Sequence, residues 1–162
     1  MFLVLCFVTN AKAFQPANRI ELKSAVDACL QIDDTGRTCE KDGVHISLWD
    51  TSKVTDMSHM FYKYYKFNGN VTNWDVSKVT NMSHAFKNEL HFDGDLSKWS
   101  TKSVTSMDGM FYGAKAFTGS FSINRWVTSS VLNMDYMFFE AASFNGLIDG
   151  WDLSSVTSLS RM

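Results

Sequence analysis

The chain has a single proline in 162 residues, three cysteines and no excess of basic side chains. So little proline, beside 45% hydrophobic residues, excludes the disordered, proline-rich and collagen-like classes. A formal net charge of -2, with no polybasic segment, removes nucleic acid as the default partner, because a surface that tracks phosphates needs a basic excess. The apolar run Phe2 to Val8 is far too short to cross a bilayer, so no transmembrane segment is expected. Catalytic signatures are missing too. There is no HExxH, no nucleophile elbow and no phosphate-cradling glycine loop, and the acidic residues are scattered rather than paired as in a glycosidase. The expectation is a single-domain protein that is not an enzyme and uses no cofactor or metal.

The first thirteen residues run from the apolar block to Ala11-Lys12-Ala13, a small-x-small pattern of the kind signal peptidase cuts after. A signal peptide over 1–13 is one reading; a truncated gene start or a buried first strand is the other. Cleavage would remove Cys6 and leave Cys29 and Cys39 flanking a loop that can fold back on itself. A disulfide between them would add roughly 2 to 3 kcal/mol, and two free, buried thiols are the alternative. Two thiols without a nearby histidine make a poor zinc site.

Residues 17 to 32 read as one amphipathic helix, with Asn18 and Glu21 spaced as a capping box and Leu22, Val26, Cys29 and Leu30 on one face. The segment 14–42 is therefore an N-terminal helical cap. From residue 43 to 162 the chain repeats. Trp49, Trp74, Trp99, Trp126 and Trp151 are spaced by 25, 25, 27 and 25 residues. Each is followed at fixed offsets by a valine (Val54, Val79, Val104, Val131, Val156) and by Met57, Met82, Met107, Met134 or Leu159. Next come Met60, Ala85, Met110, Met137 or Met162, and in the complete copies Phe61, Phe86, Phe111 and Phe138. Phe67, Phe92, Phe117 and Phe144 then precede Gly69, Gly94, Gly119 and Gly146.

A unit of about 25 residues has nothing of its own to bury these anchors against, so it must stack on its neighbours. The methionines, flexible and polarizable, then fill interior gaps. The pattern predicts an α/β solenoid of about five coils: strands around Ile46, Val71, Leu96, Ile123 and Ile148 forming a short parallel sheet, helical turns after each methionine, and glycines at positive φ. Alternation about the inward residues would expose two rows on the sheet face. One is His45, Asn70, Asp95, Ser122 and Leu147; the other is Ser47, Thr72, Ser97, Asn124 and Asp149. His45, Ser47, Asn70, Thr72, Asp95, Ser97, Ser122 and Asn124 are the candidate binding residues, and a merely solvated face is the alternative. Asp50, Asp75 and Asp152 read as turn caps, since Val127 interrupts any calcium ladder. His59 and His84 share a position that holds Gly109 and Tyr136 in later copies, which reads as variable and exposed; facing rings could bind a metal. Asn70 and Asn81 lie in glycosylation sequons.

"WDVSKVTNMSHAF" (74 to 86), with "WDTSKVTDMSHMF" and "WDLSSVTSLSRM", resembles the repeat of the BspA-like leucine-rich-repeat surface proteins. The resemblance covers about residues 43 to 162, and "ELKSAVDACL" is similar to the helix preceding such arrays in some members. It implies a leucine-rich-repeat-like solenoid, secreted or at the cell surface, used for adhesion or for recognition of a protein or glycan, with no catalytic residues to carry over. Two departures matter. "FTGSFSINRW" is two residues longer than its counterparts, so a bulge is expected near Ser120 to Arg125. Met162 stops halfway through a coil, which suits a spacer piece of a longer array or self-association through that end. An enzyme-associated or inhibitor domain is the remaining alternative.

Overall fold

The computed structural model describes residues 13–120 and 123–162. The expected signal peptide, up to its last residue, lies outside the described residues, as do Cys6 and Ser122. Helix α1 spans Arg19–Leu30. Asn18 Oδ1 accepts the Glu21 N–H at 3.1 Å, while the Glu21 carboxylate takes the N–H of Ala17 at 2.8 Å. Its apolar stripe, Leu22, Ala25, Val26, Cys29 and Leu30, is buried. A hairpin follows, β1 (Glu40–Lys41) pairing antiparallel with β2 (Val44–His45). Asp42 and Gly43 turn it with φ of 53° and 74°, the left-handed pair that suits the twist of a two-residue hairpin.

The expected α/β leucine-rich-repeat-like solenoid with a parallel sheet is not what the chain forms. Among the described residues, regular structure is limited to α1, that antiparallel hairpin and two 3₁₀ turns, Ile46–Leu48 and Ile123–Arg125. Parallel pairing occurs only as isolated bridges, Asp56 with Asn81, Asn81 with Ser106, Ser106 with Asn133 and Asn133 with Ser158. Local geometry explains this. The inward residues Ile46, Val71, Leu96, Ile123 and Ile148 start tight turns, their carbonyls accepting the tryptophan N–H three residues on at 3.0–3.3 Å. After each methionine the chain enters left-handed conformation at His59, His84, Gly109, Tyr136 and Arg161, with φ between 52° and 58°. A left-handed residue at each of these points breaks both a helix and an extended strand, while alternate N–H groups on and around it still face the neighbouring unit. Those N–H groups reach the next unit: Met57 to Asn81 O, His59 to Ser83 O and Phe61 to Ala85 O, at 2.9–3.0 Å, and likewise along the array.

Units therefore contact through turns, and like side chains meet like. Phe61, Phe86, Phe111 and Phe138 form one aromatic column with ring centroids 5.1, 5.5 and 5.8 Å apart. Phe67, Phe92, Phe117 and Phe144 form a second, at 5.9, 6.2 and 6.1 Å. The columns interlock within each unit at 3.8–4.1 Å. Each tryptophan indole from Trp74 onward donates to a carbonyl of the preceding unit, Ile46, Val71, Leu96 or Ile123, at 2.8–3.1 Å. The one polar atom of a buried indole is thus satisfied. Met57, Met82, Met107 and Met134 lie fully inside, whereas Leu159 in the last unit is 45% exposed.

Of the four repeat glycines expected at positive φ, Gly69, Gly94, Gly119 and Gly146, Gly119 alone has it, at 69°. Gly69 and Gly94 serve close approach instead. A Cβ on either would come within 2.8 Å of the phenylalanine ring two residues before it. A side chain would push that ring out of its column.

Cys29 and Cys39 are joined by a disulfide that binds the end of α1 to the hairpin. Closing so short a loop stabilises the fold by about 3 kcal/mol. Reduction is expected to lower the denaturant midpoint accordingly; an unchanged midpoint after complete thiol release would show that packing alone holds the cap.

Candidate functional site

Apart from His45, the last residue of β2, the described sheet-face candidates lie outside any strand, and the side chains of His45, Asn70 and Asp95 are engaged by local backbone. His45 Nδ1 accepts the Ser47 N–H at 3.2 Å and its Nε2 lies 2.9 Å from Arg37 O. Asn70 Oδ1 accepts from Thr72 N at 3.0 Å, and Asp95 Oδ1 from Ser97 N at 2.8 Å. These side chains cap the turn leading into each tryptophan, so part of their hydrogen-bonding capacity is spent internally. Asn124 stands apart, beside a shallow hollow lined by Gly119, Ser120, Asn145, Gly146 and Leu147. Of the sequon residues, Asn70 is exposed, while Asn81 is half-buried and its Oδ1 accepts from Ser83 N at 2.9 Å.

Asp50, Asp75 and Asp152 make the same capping turn, each accepting from the serine N–H two residues on at 2.9–3.1 Å. Hydrogen bonds from those serines, side chain first, hold all three carboxyls below their ordinary range. Among the described residues, no group of three or more His, Cys, Asp or Glu is placed to hold a metal.

A different surface gathers the chemistry that the capping rows lack. The left-handed position of each unit and the residue three further on lie side by side, bringing together His59, Tyr62, His84, Lys87, Tyr112, Tyr136, Phe139 and Arg161. Successive rings are in contact: His59 with Tyr62 at 5.7 Å, His59 with His84 at 4.8 Å, Tyr112 with Phe139 at 5.3 Å and Tyr136 with Phe139 at 5.8 Å. Cations lie over the rings. Lys63 is 5.6 Å from the Tyr62 centroid, Lys87 4.6 Å from Tyr112, and Arg161 5.9 Å from Tyr136. Tyr136 is 36% exposed, and Tyr62, Tyr112 and Phe139 are half-buried.

Burial, and then the charges of His84, Arg19 and Lys87, push the proton affinity of His59 below its ordinary value, against Asp56. Such a band of tyrosine, phenylalanine and arginine has the composition of binding hot spots, which the capping rows do not. The sequence did carry a signal for it. Tyr62, Tyr112 and Phe139 recur at one offset from tryptophan yet belong to none of the interior columns.

Residues 31–124 and 120–162 match the family described as "Mycoplasma protein of unknown function, DUF285". The chain belongs to this family. The matched stretches begin after α1, so the DUF285 likeness is carried by the disulfide loop and the repeats. No curated protein and no solved structure matches the chain. No helix among the described residues is long and apolar enough to cross a membrane.

Proposed function

We propose that this DUF285 chain is a non-catalytic recognition module, secreted or displayed at a cell surface in the manner of the BspA-like surface repeat proteins it resembles. Its partner is a protein or glycan, bound at the band from His59 to Arg161. The observation that carries this reading is the run of part-exposed aromatic rings overlaid by cations, Lys87 on Tyr112 and Arg161 on Tyr136. Aromatic and arginine side chains contribute large contact area at low entropic cost and dominate binding energies elsewhere. A non-catalytic role is favoured by how the repeat carboxylates are used, since Asp50, Asp75, Asp95 and Asp152 all hold turns.

The test is a panel of immobilised glycans and purified extracellular-matrix proteins probed with the wild-type chain and with a Tyr112→Ala/Tyr136→Ala variant. Each truncation of a hot-spot tyrosine removes about 1–2 kcal/mol, so the double variant is expected to bind at least tenfold more weakly. Undiminished binding by that variant, or no binding of the wild-type chain to any probe, would overturn the proposal.

A further inference from the structure

Helix α1 is attached unevenly. Its C-terminal end is fixed by the Cys29–Cys39 disulfide and by Tyr64, whose hydroxyl donates to Asp27 at 2.6 Å. The first turn reaches the array through Arg19, whose Nε and Nη2 both donate to Ser58 O at 2.9 and 2.8 Å, with Asp56 Oδ1 4.0 Å from Nε. In the next three units the equivalent carbonyls, Ser83, Asp108 and Asp135, accept an N–H from the unit before. The first unit has no predecessor, and Arg19 takes that place.

The residue after Ser58 is His59, and its ring lies 4.8 Å from that of His84. His84 is itself confined. Its buried Nδ1 has no hydrogen-bond partner among the described residues and lies against Gly109, where an added Cβ would collide with it. Its Nε2 is 3.5 Å from Asp108 Oδ2. The charged groups around His59 are Arg19 from α1, Asp56 from its own unit, and His84 and Lys87 from the second; Tyr62 contacts its ring edge-on. Asp56 is already engaged by the Ser58 N–H at 2.7 Å.

We infer that Arg19, His59 and His84 form an acid-released clasp on the first turn of α1. With the His59 ring neutral, Arg19 stays on Ser58 O. With it protonated, an imidazolium charge lies next to Arg19 and Lys87, and like-charge repulsion drives the guanidinium off the carbonyl. Arg19 is one of the charges that hold the proton affinity of His59 down, after burial and His84, so by linkage protonation of His59 favours the form in which Arg19 has left. The sign is definite: opening grows as the pH falls below the ordinary histidine value of 6.5. The disulfide and the Tyr64–Asp27 bond keep the rest of the helix in place. This device goes beyond the recognition reading and is measured on the chain alone, without a partner.

Hydrogen exchange followed at the amides of residues 20–24, corrected for the intrinsic pH dependence of exchange, tests the clasp. Protection there is expected to fall at least tenfold between pH 7 and pH 5, while amides between Phe61 and Phe117 keep theirs. In His59→Asn, whose side chain tolerates the left-handed backbone, the pH dependence should disappear; in Arg19→Gln, exchange should be fast at both pH values. Unchanged protection down to pH 5, or the same loss in His59→Asn as in the wild type, would overturn the inference. Should His59→Asn not fold, ring-proton titration of His59 in the wild type and in Arg19→Gln decides: a midpoint that rises in Arg19→Gln supports the clasp, and an unchanged one rules it out.

Discussion

Replacing Phe86 with alanine is expected to destabilise the chain by about 3–5 kcal/mol, the range for deleting a fully buried aromatic side chain. Phe86 stands where both phenylalanine columns and the tryptophans meet. Its ring lies 5.1 Å from Phe61, 5.5 Å from Phe111, 4.1 Å from Phe92 and 5.9 Å from Trp99. The neighbours cannot close the gap, because each is held by its own rung and by units on both sides. Phe138, only partly buried, should cost less when truncated. Chemical denaturation of the two variants measures the difference. Equal, small losses of under about 1 kcal/mol would mean that the columns contribute little.

The second large effect has the opposite sign. Glu89 is completely buried, and neither carboxyl oxygen has a hydrogen-bond partner among the described residues. The N–H groups of Tyr64 and Phe67 approach it but already donate to Phe61 O and Tyr64 O. Burial pushes the carboxyl up to about 9, only partly offset by those N–H groups. The folded chain therefore keeps a proton there that the unfolded chain releases near 4.5. Since the folded state binds more protons in that window, stability is fully present below pH 4.5 and is lost progressively as the pH rises towards 9.

Glu89→Gln removes the titration while keeping the shape. At pH 7 it should stabilise the chain by about 3 kcal/mol, from roughly 2.5 pH units at 1.36 kcal/mol each, and at pH 4 it should make little difference. The matching positions of the next two units hold Ala114 and Ala141, both buried, so Glu89→Ala should be tolerated as well. A gain that is the same at pH 4 and pH 7 would point to packing and not to the buried carboxyl. His59 acts against Glu89 below pH 6.5, where its depressed proton affinity favours unfolding. The clasp is accordingly read by local exchange and not by a global melting curve.

The interior was legible because it repeats. Tryptophan, methionine and phenylalanine at fixed offsets announced their columns, and the helix announced itself through Leu22, Val26, Cys29 and Leu30 on one face. The backbone was not legible for a physical reason. Period and hydrophobicity state which side chains go inside, but not how the chain turns between them. His59, His84 and Tyr136 adopt left-handed φ of 54–58°, where glycine is the usual signal, and so the turns concealed themselves behind ordinary residues. The glycines misled in the opposite direction: Gly69 and Gly94 make room for a ring without needing a positive φ. With the strands gone, the rows His45–Ser47, Asn70–Thr72 and Asp95–Ser97 became capping pairs. The more reactive surface emerged at the left-handed positions, which no strand alternation could have grouped.

Nuclear Overhauser contacts between specifically ring-labelled phenylalanines test the stacking of successive units most directly. Cross-peaks linking Phe61 to Phe86, Phe86 to Phe111 and Phe111 to Phe138 are predicted, since those centroids lie 5.1–5.8 Å apart. Rings that show contacts only within their own unit, such as Phe86 with Phe92, and none to the neighbouring units would contradict the account.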